Sequence, residues 1–411
     1  MKQLVNFLLL LLLNFSSQHD VAQQPAFQSE DITFKSVGDV SLSGTLTLPD
    51  VKGPYPAIVL LGGSERMNRS AFYDWSNANS FVSQGLAVFS FDSPGVDKSE
   101  GDRWKRTTEE RTEDALAAIR AIEKREDINK DLIGLYGGSE GGLVVFRAAS
   151  RSRSIAFGIA ISAPAVPYFK HIDSLVRTTC AATGLKGLQL EKLVMFNRLA
   201  RYLVGGHVMI DADELEKTVA EWNDPGWSQL ISLLKNRTGD NREATRESFI
   251  AIAEKWEGEE WFRGNKSIRE LLVKHQGIDI ANLGIEIREQ DSVRGYVELD
   301  AAMLAKITDT DTPLAMAAVN DASRDEDPIT FLKEITCPML CIYGEKDQEM
   351  SEYPGIVQKT FADTGHNDFL VKILQGAGHQ LKITNGERTY RHEEVDQFIF
   401  DWVQERVQKA Q

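Results

Sequence analysis

Three residues of complementary chemistry, Ser139, Asp347 and His379, each follow an apolar segment that predicts a buried strand. A neutral serine hydroxyl is a weak nucleophile at pH 7. It needs a histidine base within hydrogen-bond reach and an acid that fixes the tautomer of that base. Because the loops at the carboxyl ends of parallel strands meet at one edge of a sheet, we expect the three side chains to lie close together. The order serine, acid, histidine is consistent with nucleophilic catalysis on such a sheet.

The serine lies in the segment Gly137-Gly138-Ser139-Glu140-Gly141, between an apolar run that ends at Tyr136 and a helix-like run that begins at Leu143. This pattern predicts a strand, a sharp turn and a helix. A serine in such a turn has a positive φ angle that lifts its hydroxyl clear of the sheet, and the positions two before and two after it must be small. Three fixed positions also recur by chance, so the context of the motif decides its meaning.

The acid and the base each have alternatives. Glu345 competes with Asp347, which we favour because it lies two residues further into the loop and is better placed to reach the histidine. Asp92 is a weaker alternative, because its Asp-x-x-Gly-x-x-x-Ser setting indicates a structural turn. Among the seven histidines, His379 alone follows a predicted strand in a glycine-rich loop, whereas His366 precedes a strand.

A tetrahedral intermediate of acyl transfer requires backbone N–H donors for its oxyanion. We expect one donor to be the N–H of Glu140, at the start of a helix whose dipole favours negative charge. The second is expected from the loop after the third strand, where Gly62 and Gly63 allow close approach of the backbone. We assign it to Ser64, with Gly63 as the alternative.

Apolar runs alternate with helical patterns along much of the chain, and they predict an α/β protein with a doubly wound, mostly parallel sheet. A helix is predicted over 71–84, and two alternating segments at 32–35 and 40–48 predict an antiparallel edge. We expect the core to comprise 31–165 and 331–411, interrupted by a mainly helical cap insertion over 166–330. The tryptophans of that insertion are interpreted as packing residues.

Composition restricts the partners. The net charge of −15 disfavours a nucleic acid, and the charged residues over 103–113 are interpreted as a solvated helix face. No phosphate-binding loop, dinucleotide-binding motif or zinc motif is present in the sequence, so no cofactor and no metal are expected. The sequence does not indicate an oligomeric state.

The first residues predict a targeting segment. Lys2 is followed by an apolar run over 7–13, which is much shorter than the ~20 residues that cross a bilayer. It fits a signal peptide over 1–22, followed by a linker over 23–30, and it predicts an exported protein with no stable membrane span after cleavage. A membrane anchor is less favoured.

Three cysteines are an odd number for an exported protein. Cys337 and Cys341, if they share a strand, lie about 13 Å apart and cannot form a disulfide. A single bridge would therefore involve Cys180. Three buried thiols are the favoured interpretation.

Three segments together resemble the α/β-hydrolase superfamily: Leu61-Gly62-Gly63-Ser64-Glu65-Arg66, Phe91-Asp92-Ser93-Pro94-Gly95-Val96-Asp97-Lys98-Ser99, and Gly137-Gly138-Ser139-Glu140-Gly141. Within that superfamily, the segments resemble bacterial serine esterases related to dienelactone hydrolase and to the catalytic domains of prolyl-oligopeptidase-type peptidases. The chain also resembles acyl-CoA thioesterases and bile-acid N-acyltransferases. The resemblance implies Ser139 as nucleophile, Asp347 as acid and His379 as base. Glu65-Arg66 departs from the Gly-Pro that those esterases often show, and the insertion is larger than usual.

These observations favour a hydrolase that cleaves small-molecule carboxylic esters or thioesters through an acyl-serine intermediate. An acyl-CoA thioesterase or acyltransferase and a serine peptidase of the same fold are the alternatives. An aminopeptidase would need an acid to bind the amino terminus of the peptide, for which Glu65 and Glu140 are candidates. A binding protein that retains the fold without catalysis is the alternative of another class.

Overall fold

The computed structural model describes residues 27–63, 68–102, 106–168, 170–171, 185–205, 212–236, 242–256, 258–262, 326–347, 350–385, 388–391 and 393–409. The predicted signal peptide, the first half of the predicted linker (23–26), Ser64, Glu65 and Cys180 lie outside the described residues. Residues 28–30 of that linker belong to a strand instead.

An eight-stranded sheet in the order β1-β2-β4-β3-β5-β6-β7-β8 forms the centre of the described part of the chain. The first two pairings, β1 with β2 and β2 with β4, are antiparallel, and the pairings from β4 to β8 are parallel. This confirms the predicted mostly parallel sheet with an antiparallel edge. The strands are Gln28–Lys35, Ser41–Leu48, Tyr55–Leu61, Ala87–Phe91, Ile128–Gly138, Phe157–Ile161, Met339–Gly344 and Phe369–Leu374.

The register of the parallel strands brings their carboxyl ends to one edge. Leu61 of β3 pairs with Gly137 of β5, and Gly138 pairs with Ile161 of β6. In the last two strands of the sheet order, the carboxyl-terminal residues also pair: Gly344 of β7 with Leu374 of β8. The loops that follow β3, β5, β7 and β8 therefore leave the sheet on the same side, which is where a site is expected in this architecture.

Helices cover both faces of the sheet, as predicted for a doubly wound fold. They are α1 (Arg69–Trp75), α2 (Ala78–Ser83), α3 (Thr108–Ile122), α4 (Glu140–Arg151), α9 (Pro328–Glu334), α10 (Tyr353–Asp363) and α11 (Glu393–Lys409). Apolar residues of α3, α4, α9 and α10 share one core cluster with the sheet, whereas those of α1, α2 and α11 share the other.

Two local predictions needed correction. The helix predicted over 71–84 is two helices, because Asn77 between them adopts a left-handed conformation with φ 53°. Asparagine visits this region more readily than most residues do, and the chain changes direction there. A short hairpin of β9 (Lys382–Asn385) and β10 (Arg388–Arg391) follows β8 and was not predicted.

Between β6 and β7 the described residues form four further helices, α5 (Leu188–Gly205), α6 (Ala212–Ala220), α7 (Pro225–Lys235) and α8 (Arg242–Lys255). We call these four the inserted helices. They bury a cluster of their own in which Phe196 stacks on Phe249 with ring centroids 5.3 Å apart. Trp227 and Trp256 stack at 4.8 Å in the same cluster. The tryptophans thus pack against one another, as the sequence interpretation expected.

No helix within these described ranges is both long and apolar enough to span a bilayer.

We expect Phe196→Ala to destabilise the inserted helices by about 3–5 kcal/mol, because the ring is fully buried and its removal leaves a cavity. Four of the seven tryptophans lie in this cluster, so urea denaturation followed by tryptophan fluorescence reports on it. Leu188→Ala on the same helix is the matched control, since Leu188 is exposed. We expect its effect to stay within about 0.5 kcal/mol. An equal loss of unfolding free energy in both variants would contradict the packing described.

Candidate active site

Ser139 occupies the sharp turn between β5 and α4, with φ 53° and ψ −122°. Only glycine fits on either side of this turn. A Cβ at Gly137 would lie 2.2 Å from the carbonyl oxygen of Gly141, and one at Gly141 would lie 2.3 Å from that of Leu61. The N–H of Ser139 donates to the Ile161 carbonyl at 2.8 Å. The strained serine is thus fixed by close backbone packing and not by its own side chain.

Asp347 and His379 meet at the same edge of the sheet. His379 Nδ1 lies 2.9 Å from Asp347 Oδ2, the aspartate side chain is buried, and about a third of the histidine side chain (32%) is exposed. The loops that carry them are tied together by backbone bonds: Glu345 N–H donates to Leu374 at 2.9 Å and Lys346 N–H to Ala377 at 2.8 Å. A Cβ at Gly344 would lie 2.3 Å from the Ala377 oxygen. The short distance between the loops brings acid and histidine together.

The alternatives for the acid have other partners. Glu345 is exposed, and one of its carboxylate oxygens accepts the N–H of Gly376 at 2.8 Å. Asp92 is fully buried and accepts the backbone N–H and the guanidinium of Arg69. The backbone N–H of Lys98 also donates to Asp92 at 3.3 Å, so that this aspartate closes a turn. Both alternatives thus have other partners, whereas Asp347 makes the contact with His379.

Ser139 and His379 line one cleft together with Gly63, Gly138 and Gln380. Two aromatic residues complete its wall. Phe72 and Trp75 stack with ring centroids 5.1 Å apart and planes 15° apart. A Cβ at Gly138 would lie 2.5 Å from the Trp75 ring, so the indole packs directly against the turn that carries the serine. The cleft is therefore apolar on the side of the aromatic pair.

Of the two predicted oxyanion donors, Glu140 lies at the first position of α4, beside Ser139. Ser64 lies outside the described residues, but its alternative, Gly63, lines the cleft. The Glu140 side chain is buried and turned away from the solvent, where Oε1 accepts from Thr108 Oγ1 at 3.2 Å. Arg111 Nη1 lies 2.8 Å from the same oxygen, in an ion pair.

Arg111 corrects the sequence interpretation of a solvated helix face over 103–113. Arg106 and Arg111 are both about nine-tenths buried. A signal for this was present in the sequence: Thr108, Arg111, Thr112 and Ala115 follow helical spacing (i, i+3, i+4, i+7) on the face of α3 that also carries buried alanines. The alternation of basic and acidic residues over 103–113 favoured a solvent-exposed face instead, so this signal was missed.

The two described cysteines, Cys337 and Cys341, are free thiols. Burial raises the pKa of the Cys337 thiol to about 12 and that of Cys341 further still. Thiolate, not thiol, is the nucleophile, so neither competes with Ser139. Within the described ranges, no group of three His, Cys, Asp or Glu side chains could hold a metal ion.

Comparisons with known proteins show similarity to hydrolases. The family model of serine aminopeptidases of group S33 matches residues 57–203, which include Ser139 and the loop after β3. The chain is 31% identical over 103 residues to 2,6-dihydropseudooxynicotine hydrolase of Paenarthrobacter nicotinovorans, covering 25% of this chain and 27% of that protein. It is 26% identical over 188 residues to esterase EstD of Thermotoga maritima, covering 44% and 43%. The chain thus spans less than half the length of these curated relatives.

Among solved structures, an esterase of Pyrococcus furiosus, Pf2001, aligns with a TM-score of 0.46 and 15% identity. The alignment covers 92% of this chain and 91% of the esterase.

We expect both described thiols to resist alkylation by iodoacetamide in the native protein at pH 8. Because their pKa values are raised, the neutral thiol dominates at this pH, and thiolate forms only as the pH approaches the raised pKa. Peptide mass spectrometry measures the modification at each site. The same protein in guanidinium chloride is the control and should be alkylated at both. Native modification at the rate of the denatured control would contradict the burial described.

Proposed function

We propose that the chain is a serine hydrolase of the α/β-hydrolase superfamily that cleaves small-molecule carboxylic esters through an acyl-serine intermediate. The observation that supports this most is the 2.9 Å contact between His379 and the buried Asp347, on loops beside Ser139. The family model over residues 57–203 and the hydrolase relatives support the same class of reaction.

The contact with Asp347 sets the role of each nitrogen of His379. An ionised carboxylate can only accept a hydrogen bond, so Nδ1 carries the proton that it donates to Asp347. Nε2 is then unprotonated and can take the proton of the Ser139 hydroxyl as the oxygen attacks the ester carbonyl. The same nitrogen returns the proton to the leaving alkoxide. In the second half of the reaction it activates a water molecule, which releases the acid from Ser139.

The charge that develops on the carbonyl oxygen is stabilised by backbone N–H groups. Glu140 supplies one from the start of α4, where the helix dipole also favours a negative charge. Gly63, or the neighbouring Ser64, supplies the second from the loop after β3. Removal of one such donor typically lowers the rate by roughly 10²–10³-fold.

A peptidase is the second candidate, since the matching family model describes serine aminopeptidases. An aminopeptidase needs a free carboxylate in the cleft to bind the amino group of the peptide. Glu140 does not meet this need, because its carboxylate is buried against Arg111. Glu65 lies outside the described residues, so turnover of amino-acid amides and of X-Pro amides, compared with esters, distinguishes the two activities.

We expect Ser139→Ala to lower kcat for a p-nitrophenyl ester by roughly 10⁴–10⁶-fold and Asp347→Asn by roughly 10³–10⁴-fold, because they remove the nucleophile and the group that fixes the histidine tautomer. Labelling by a fluorophosphonate with peptide mapping should identify Ser139 in the unsubstituted protein. Ser162→Ala is the matched control, since Ser162 follows the neighbouring strand β6 at the same edge. Unchanged turnover in Ser139→Ala would refute the proposal.

We expect Trp75→Leu to widen the cleft at its apolar wall and to raise kcat/KM for esters with long acyl or alcohol groups, relative to acetate esters, by about tenfold or more. The reason is that one or two methylene contacts in an apolar pocket change kcat/KM by about this factor. A series of p-nitrophenyl and alkyl esters of increasing length measures this ratio. Trp402→Leu on α11, which removes a buried indole that packs on Phe157 at the start of β6, controls for the loss of stability. A selectivity that is the same in both variants would contradict the placement of Trp75 in the substrate site.

A further inference from the structure

Arg111 of α3 reaches both segments from which the oxyanion donors are expected. Its Nη2 donates to the carbonyl of Gly62 and, at 3.1 Å, to that of Gly63. Its Nη1 lies 2.8 Å from Glu140 Oε1. The guanidinium therefore bridges the loop after β3 and the first residue of α4, two segments far apart in the sequence.

The bonds to the loop determine which way its amides face. The carbonyl of Gly62 and the N–H of Gly63 belong to one peptide unit, and in a trans peptide they point to opposite sides. Arg111 holds the carbonyl toward the body of the protein. The Gly63 N–H is consequently directed away from Arg111, and Gly63 is a wall of the cleft that contains Ser139 and His379.

The ion pair with Glu140 acts on the other segment. Glu140 is the residue whose backbone N–H begins α4, and its side chain is buried between Thr108 and Arg111. Gly62 and Gly63 have no side chains through which other contacts could set the orientation of their loop. A planar guanidinium presents five donors in a rigid fork, so it fixes the relative positions of several acceptors more strictly than a flexible ammonium group or a two-donor amide does.

We infer that Arg111 is a positioning residue that orients the backbone donors of the oxyanion-binding site, holding Gly62 and Gly63 on one side and Glu140 on the other. This inference rests on the proposed function. Arg111 acts through these groups and does not touch the substrate, so its removal should weaken binding of the transition state while binding of the substrate changes little. That difference separates it from a residue that only stabilises the fold.

The test compares Arg111→Gln and Arg111→Lys with the unsubstituted full-length protein. Active protein is counted by saturating fluorophosphonate labelling of Ser139, and kcat and KM for a p-nitrophenyl ester are measured per labelled serine. We expect kcat to fall by about 10²-fold in both variants, as it does when one oxyanion donor is removed, and KM to change by less than about threefold. Lysine should not rescue, because it lacks the fork that spans three acceptors.

An inhibitor that mimics the intermediate gives the decisive readout. A trifluoromethyl ketone forms a hemiketal with the serine whose oxygen occupies the oxyanion position. We expect its inhibition constant to rise by about the same factor as kcat/KM falls, which is the signature of lost transition-state stabilisation. Glu140→Gln, which keeps the size of the side chain and removes its charge, should show a smaller shift of the same kind, about tenfold. It keeps the inference testable if the Arg111 variants fold poorly.

Arg106→Gln is the matched control. Arg106 is as buried as Arg111, but it forms its ion pairs with Asp114 and Glu110 and donates to the carbonyl of Val37 at 3.4 Å. We expect it to lower the melting temperature about as much as Arg111→Gln does and to leave kcat per labelled serine and the inhibition constant unchanged.

The outcomes separate the two hypotheses. If the unsubstituted protein labels at Ser139 and hydrolyses esters, but Arg111→Gln and Glu140→Gln keep its kcat and its inhibition constant, the positioning role is refuted and the proposed function stands. If the unsubstituted protein neither labels nor turns over esters, the proposed function is refuted and this inference with it.

Discussion

The close approach of β5 and α4 at Ser139 is the constraint on which the rest of the site depends. Glycine is required on both sides of the turn, because a Cβ at Gly137 or Gly141 would lie within 2.3 Å of a backbone oxygen. The serine itself is held at positive φ, a conformation that costs roughly 1–3 kcal/mol for a residue other than glycine. A turn that tight places the start of α4 next to the loop after β3, since the oxygen that Gly141 faces belongs to Leu61.

The same principle of close backbone packing acts at the second half of the site. Gly344 lies so near Ala377 and Gly378 that no side chain fits between the loops after β7 and β8. Backbone hydrogen bonds then fix these loops to each other, and the aspartate and the histidine they carry meet at 2.9 Å. In both halves, glycine allows a backbone-to-backbone contact, and this contact sets where the polar side chain lies. The sheet supplies the rigid frame, because all these loops leave its parallel strands at one edge.

The sequence predicted the parts of the structure that depend on local pattern. Continuous apolar runs predicted the buried strands, and the glycines around Ser139 predicted the turn. Both features depend only on residues that are close together in the sequence. The break at Asn77 and the hairpin of β9 and β10 were missed, since a single left-handed residue or a four-residue strand leaves little pattern. The burial of Arg106 and Arg111 was missed for a different reason. Whether a charged helix residue faces solvent depends on what the fold places opposite to it, and their partners Asp114 and Glu140 were visible only in three dimensions.

Buried charge in this protein is concentrated where chain segments distant in the sequence must be held at a fixed distance. Arg69 joins Asp92 to the antiparallel edge, Arg147 joins α4 to Glu109 and Glu326, and Arg111 joins the turn at Ser139 to the loop after β3. A buried ion pair contributes little net stability compared with apolar packing, because both ions lose their hydration. Its geometry, however, is directional, whereas apolar contacts allow sliding. Under the proposed function, backbone amides must be aimed at one point, and a directional ion pair and hydrogen bonds from Arg111 serve that need better than a leucine on the same helix face would.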